Sequence, residues 1–499
     1  MQCLPKVTTE LGDDPMDALV NPQSEATVAF DTLQNLREMV NADFRFSLYV
    51  NIDDLCAFLR EPMVEEYVYE AAKVISRWLA LRSVQVANDL HEIWETQLPA
   101  RLLRLLSTSV CSPLLLVALE IFKRMCRHCP QCCKALIKLQ LCQKINKLGK
   151  RVWAEFDTNY VHTNVFYNVL LLCCSITKNL SSSNPTDFFP IVEILKPIGT
   201  GRTVSALVMD RASLIIRNLI FRREGDYRII RVLKRHQLLI FLVNCIRQKE
   251  GSSRNHALAV IGKITKNKAW IVLHLLQNGL CKALNDVLES NNRTDISFVL
   301  IIFKRIVNFA SETTKYLASE KTFLLNVTNV MNEDYSREVK VLILCQLVEL
   351  VSADIENYLP FICYREIIFH LTNELKRRQP KENRMLLGCL TKITMSYSTR
   401  LTDLHSRNMA LEIISNQNGV KDALALTANG RNDAMHQMLI RELERRPRKD
   451  SVWQHASVIA VQPTNHAYND QRLIVREMLL QPSRLANQLG RAPRATANY

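Results

Sequence analysis

Apolar residues recur every three or four positions along most of the chain, the spacing that gathers them on one face of an α-helix. Between Arg211 and Trp270 they fall in three short blocks: Leu214, Ile215 and Leu219; Leu238, Leu239, Leu242, Val243 and Ile246; Leu258, Ile261 and Ile264. Breaks carrying Gly225, Gly251 and paired serines separate the later blocks. Helices this short leave their apolar stripe uncovered unless a neighbour packs on it. Upstream, helical patterning begins at Phe30 with Leu33, Leu36, Met39 and Val40, and a clear helix carries Val68, Ala71, Ala72, Ile75, Trp78 and Leu79.

The blocks repeat. Similar helices are expected to begin near Leu102, Leu141, Phe188, Leu238, Leu280, Phe323, Ile367 and Val420, and the steps from Leu238 to Ile367 are 42, 43 and 44 residues. After a short polar link each later one is followed by a second apolar helix: His256 to Thr265, Ile296 to Asn308, Val339 to Val351, Arg384 to Thr394. Two or three helices every ~40–47 residues is the armadillo/HEAT signature. Gln277-Asn278-Gly279 and Gln417-Asn418-Gly419 read as inter-repeat turns, and irregular stretches near 152–165, 196–206 and 396–408 as loops. The expected fold is therefore all-α: an armadillo/HEAT-like helical-repeat superhelix over residues 30–441. An acidic leader (1–29) and a basic tail (442–499), with one amphipathic segment from Leu473 to Leu480, are expected to be disordered.

Composition agrees with a folded helical protein. Hydrophobic residues make up 48% and charged residues 23%, while 12 glycines is about a third of the usual ~7% share. Sheets and phosphate-cradling loops draw on glycine for positive φ and close backbone approach. Charge is uneven. Residues 1–100 carry 7 Lys+Arg against 17 Asp+Glu, a net of −10; Arg211 to Ala269 carry 14 against 3, a net of +11. An acidic end and a basic middle suggest two partner surfaces of opposite preference. The opening twenty residues lack the basic-then-apolar order of a secretory signal, and the longest apolar run, Val169 to Ile176, is too short to span a bilayer. Fifteen cysteines without such a signal read as reduced thiols.

Candidate chemistry is sparse. Cys126, His128, Cys129, Cys132 and Cys133 have spacings that zinc sites use. The alternative, small core thiols near a helix end at Pro130, is preferred because a second ligand pair on a loop is missing. His91-Glu92-Ile93-Trp94-Glu95 approaches HExxH but lacks its second histidine, and there is no P-loop, GxGxxG or GxSxG. An enzyme is not expected, nor a cofactor, metal or small-molecule substrate. Arg222, Arg223, Arg228, Arg231, Lys234 and Arg235, followed by Lys263, Lys266 and Lys268, form a candidate basic strip able to neutralise phosphates. Arg445, Arg446, Arg448 and Lys449, and separately Lys376-Arg377-Arg378, are candidate nuclear localisation signals. A peptide receptor of importin-α type is not favoured. Asn218 and Asn308 fall at plausible ladder positions, but Thr265 and Thr394 occupy the equivalent places, and no tryptophan precedes either asparagine by one turn.

Three segments carry a resemblance. Ile216-Arg-Asn-Leu-Ile-Phe-Arg-Arg-Glu-Gly-Asp226, Tyr364-Arg-Glu-Ile-Ile-Phe-His-Leu-Thr372 and His436-Gln-Met-Leu439, in that order, resemble the armadillo-like region of the ARID-bearing subunit of polybromo-type SWI/SNF chromatin remodellers. Ile220 and Asp226 depart from that family's first segment. The resemblance covers roughly Leu102 to Arg441. No stretch resembling an ARID, a winged helix or paired Cys/His fingers accompanies it, so sequence-specific DNA reading does not carry over. It implies a nuclear, non-catalytic scaffold that docks other remodeller subunits; the basic middle repeats are separately a candidate surface for nucleosomal DNA or an acidic partner helix. Arg217, Asn218, Glu224, Tyr364, Arg365 and Glu366 are its candidate interaction residues. A cytoplasmic armadillo adaptor, β-catenin-like or serving a ubiquitin ligase, is the alternative. From the residues themselves, Arg217 and Glu224 bracket Asn218, whose amide is placed to hold the backbone of a neighbouring repeat. Asn218→Ala is expected to lower both the melting temperature and partner capture, measured by thermal unfolding and pull-down.

Overall fold

A computed structural model describes residues 65–81, 98–156, 160–179, 188–200, 204–222, 227–248, 252–266, 268–290, 292–309, 320–333, 335–353, 366–376 and 385–393, with a few isolated positions. Every regular element among them is helical. The leader, the tail and the expected helix near Val420 lie outside the described residues, as do Gln417-Asn418-Gly419, the loop near 396–408, the signal Arg445, Arg446, Arg448 and Lys449, and Arg377 and Arg378 of the other. The chain divides into two compact units, Met1–Arg202 and Thr203–Tyr499.

The first unit contains α1 (Glu65–Leu81), α2 (Leu98–Leu105), α3 (Pro113–His128), α4 (Pro130–Lys138), α5 (Leu141–Trp153), α6 (Tyr160–Lys178) and α7 (Phe189–Gly199). Its long helices α1, α3 and α6 pack side by side, and α5 lies against both α6 and α7. Helix α3 shows why the sequence folds this way. Ser112 caps it by accepting from the Leu114 N–H at 3.2 Å, Pro113 supplies the pre-set first φ, and Leu115, Leu119, Phe122 and Cys126 bury one stripe. The same Ser112 hydroxyl donates to Glu65 Oε1 at 2.5 Å, fixing the start of α1 beside it.

The second unit contains α8 (Ala206–Arg222), α9 (Tyr227–Arg235), α10 (Leu238–Ile246), α11 (Ser253–Ile264), α12 (Ala269–Gln277), α13 (Leu280–Glu289), α14 (Arg293–Val307), α15 (Lys321–Asn329), α16 (Arg337–Ala353), α17 (Glu366–Leu375) and α18 (385–393). They form three-helix repeats, α9–α10–α11 and α12–α13–α14 being two complete examples. Third helices α8, α11, α14 and α16 stack in sequence order, and second helices α10, α13 and α15 stack beside them. Second helices α10 and α13 also pack on the third helices of their own repeats, α11 and α14, and α10 buries seven of its nine residues. The second and third helices sit within a few residues of where the hydrophobic spacing placed them.

Some boundaries differ from expectation. Helix α6 begins at Tyr160 and α7 runs to Gly199, so helices reach into the stretches near 152–165 and 196–206. Apolar residues continuous with the flanking stripes, such as Val165 and Ile198, are drawn into the core there. The Gln277-Asn278-Gly279 turn joins the first and second helices of one repeat, not two repeats. Gln140 before α5, and Gln237 and Gly279 before the second helices α10 and α13, have φ of 66°, 60° and 81°. One left-handed residue lets the chain reverse in two positions, and only glycine adopts it without strain.

One buried ion pair ties consecutive repeats together. Arg254, on α11, donates through Nε to the Ile246 carbonyl at 3.1 Å, and its Nη1 lies 3.5 Å from Asp295 on α14 and 3.5 Å from Ser290 Oγ. Both members are nearly inaccessible, at 8% and 2% exposure. Removing one partner strands a buried charge. Asp295→Ala should therefore lower unfolding free energy by about 3 kcal/mol, measured by urea denaturation.

Candidate protein-binding face

The exposed side of the third helices in the second unit carries a row of cations around an aromatic ring. On α8, Phe221 is 44% exposed and the Arg217 guanidinium lies 5.6 Å from its ring centroid. From α11, Lys263 Nζ reaches the same ring at 5.5 Å. Helix α11 has Gly262 beside that lysine, and the Arg305 side chain of α14 lies over it: a Cβ there would be 3.7 Å from Arg305 Nη1. Exposed Ile301 sits one turn before Arg305 on α14. Arg217, Phe221, Lys263 and Arg305 thus run across three consecutive repeats.

Arg305 is the unusual member. Its Nη1 is buried, and among the described residues it has no acceptor. Burial pushes its pKa below the ordinary arginine value without neutralising it. A buried guanidinium N–H without an acceptor costs about 1–3 kcal/mol.

The eight described residues of the basic strip do not form one strip. Arg228, Arg231, Lys234 and Arg235 are exposed on the first helix α9, and Lys268 precedes the next first helix, α12. There Lys234 lies 5.1 Å from the Trp270 ring and Lys268 lies 4.9 Å from the Tyr227 ring, a reciprocal pair linking neighbouring first helices. Arg222 and Lys266 sit exposed at the carboxyl ends of the third helices α8 and α11, where cations suit the helix dipole. Only Lys263 joins the aromatic row. The division follows from the three-helix repeat, which sends alternate stretches of one basic segment to different helices.

Among the other sequence candidates, Asn218 is half-buried on α8. Glu366 opens α17, while Arg223, Glu224, Tyr364 and Arg365 lie outside the described residues. Thr265, read as a groove-ladder position, is buried, with its hydroxyl on the Ile261 carbonyl at 2.7 Å; the outward position on α11 is Lys263. Cys126, Cys129, Cys132 and Cys133 are fully buried core side chains, and the Cys129 sulfur caps α4 by accepting from the Cys132 N–H at 3.3 Å. Among the described residues no three metal-ligating side chains gather, and no helix is long and apolar enough to cross a membrane.

Sequence reading missed one polar cluster. Ser252 donates to Asp210, and His256 Nε2 lies 3.3 Å from Ser252 Oγ and 4.0 Å from Asp210. A nucleophilic relay needs serine and carboxylate on opposite imidazole nitrogens; here both approach Nε2, and the hydroxyl proton goes to the carboxylate. Burial, helped by Arg217 and Arg211 and opposed by Asp210, lowers the His256 pKa. The cluster fastens α8 to the start of α11. Its signal in the sequence is only a 42-residue offset between Asp210 and Ser252, legible once the repeat length is known.

No family model matches the chain, and no curated protein matches it. An engineered protein solved by the Northeast Structural Genomics Consortium is similar in structure, with a TM-score of 0.53 at 13% identity, covering 83% of this chain and 94% of that one. A designed armadillo-repeat protein in complex with the peptide (KR)4 covers 51% of this chain and 99% of its own at 16% identity and a TM-score of 0.42. A computationally designed armadillo-repeat protein for modular peptide recognition covers 50% and 98% at 18% identity and a TM-score of 0.41. The chain has an all-α helical-repeat fold of armadillo type, and these likenesses are ones of fold.

Gly262 offers a test of the row's geometry. Its space admits a methyl group at ordinary contact distance from Arg305 Nη1 and from Ile302 at 3.8 Å. Gly262→Ala should raise unfolding free energy by about 0.5–1 kcal/mol through helix propensity, measured by urea denaturation; a loss would mean Arg305 lies tighter on α11 than described.

Proposed function

We propose that the chain is a non-catalytic scaffold that holds an acidic protein segment against the third-helix face of its second unit. The observation that carries this is the row Arg217, Phe221, Lys263 and Arg305, cations of three repeats set around an exposed aromatic ring. Cations spread over three repeats favour an extended ligand whose carboxylates recur along its length, and Phe221 and Ile301 give it an apolar contact between charges. The designed proteins made for peptide recognition are built on the same type of repeat.

The finer reading is a nuclear subunit of a SWI/SNF-type, polybromo-containing remodelling complex, with motor activity in a separate ATPase. Its support is the ordered run of three sequence segments. Contact with nucleosomal DNA is a second reading, favoured by the four exposed cations of α9.

Affinity purification of the full chain with mass spectrometry tests both levels. Recovery of a remodelling ATPase with actin-related proteins is the expected result, while cullin or cadherin partners would identify the cytoplasmic adaptor instead. A chain that sediments alone, with no partner in nuclear or cytoplasmic extract, overturns the scaffold reading. Lys263→Glu should weaken capture about tenfold, ~1.4 kcal/mol. Arg305→Met should weaken it as well while leaving the melting temperature unchanged or raised, because it removes the unpartnered buried N–H.

A further inference from the structure

Two thiols meet across consecutive third helices of the second unit. Cys345 on α16 and Cys389 on α18 have their sulfurs 3.4 Å apart, the Cys389 thiol donating to Cys345. One turn further along, Glu349 on α16 pairs with Lys392 on α18. That pair and the sulfur contact fix the register of the two helices at neighbouring turns, holding the sulfurs face to face. Cys345 is half-buried, so a small solute reaches it, whereas Cys389 lies behind it in the core. The hydrogen bond from Cys389 holds the Cys345 thiol below its ordinary range, against opposing burial and the Glu349 carboxylate. The same bond, together with burial, pushes Cys389 up. This is the asymmetry of an attacking and a resolving cysteine.

We propose that Cys345 and Cys389 are a reversible oxidation site that takes a peroxide and closes to a disulfide joining two repeats. The Cys345 thiolate attacks one peroxide oxygen, and the O–O bond breaks. Hydroxide leaves, takes up the proton released by the Cys345 thiol and becomes water; Cys345 is left as a sulfenic acid. The Cys389 sulfur then attacks the Cys345 sulfur. The S–S bond forms, the S–O bond breaks, and the leaving hydroxide takes the Cys389 proton as the second water. Two electrons pass from the sulfurs to the peroxide, and a dithiol reductant returns both thiols. The six buried cysteines described in the first unit lack this access, and Cys111 has exposure without an opposed sulfur among the described residues.

The test is treatment of the full chain with hydrogen peroxide at neutral pH, alkylation with N-ethylmaleimide, and peptide mass spectrometry. The expected product is a Cys345–Cys389 cross-linked peptide pair that has lost two hydrogens and is restored by dithiothreitol. In Cys389→Ser, dimedone should trap Cys345 as the sulfenic acid; in Cys345→Ser, Cys389 should remain a thiol. Circular dichroism confirms that both variants fold, and a cross-link in the wild-type chain stands without them. The proposal is overturned if both residues stay as alkylated thiols under peroxide that oxidises Cys111. Cys345 joined to any other cysteine overturns it equally.

Discussion

The second unit depends on short helices that cannot stand alone. Ordering the nine residues of α10 costs on the order of 10–15 kcal/mol, and burying its seven core side chains returns a similar sum only when α11 and α13 are in place. Each repeat is thus stable by virtue of the next. Third helices matter most because they touch both neighbours, and Phe303 of α14 meeting Phe323 of α15 edge-on at 5.9 Å shows second and third helices of successive repeats joined the same way.

Stacking by apolar contact alone would leave the register loose, since Leu, Ile and Val stripes slide past one another at little cost. Polar contacts at fixed offsets remove that freedom. Arg254 reaches Asp295, and Arg337 reaches both the carbonyl of Glu374 at 2.7 Å and its carboxylate at 3.3 Å. Ser252 binds Asp210. Each joins one repeat to an adjacent one, and each lies near the start of a third helix, leaving the later turns of α8, α11 and α14 for Phe221, Lys263 and Arg305.

The fold was legible because its two signals, helical spacing and a 42–44-residue step, are local and additive. Leu238, Leu280 and Ile367 marked the second helices to within two residues. Boundaries at 160 and 199 were lost where a polar stretch was read as a loop although its apolar positions kept helical phase. The face was harder. Charge density drew attention to Arg228, Arg231, Lys234 and Arg235, yet assigning each cation to a first or third helix requires the repeat geometry. Phe221, Ile301 and Arg305 passed unnoticed because an exposed aromatic, an exposed isoleucine and one arginine have no motif; only their adjacency across three helices gives them meaning.

That adjacency also bears on what kind of chemistry the second unit supports. A catalytic site gathers groups of different pKa and opposed function around one reacting atom, within hydrogen-bonding reach. On the described face Arg217, Lys263 and Arg305 are strung out, one per repeat, along parallel helices whose spacing the core dictates. The grouping of Asp210 with Ser252 and His256 spends its hydrogen bonds on itself. A row of like charges repeating with the scaffold instead matches a ligand that repeats too, such as an extended chain with carboxylates at intervals. The helical repeat sets the interval at which Arg217, Lys263 and Arg305 recur along that face.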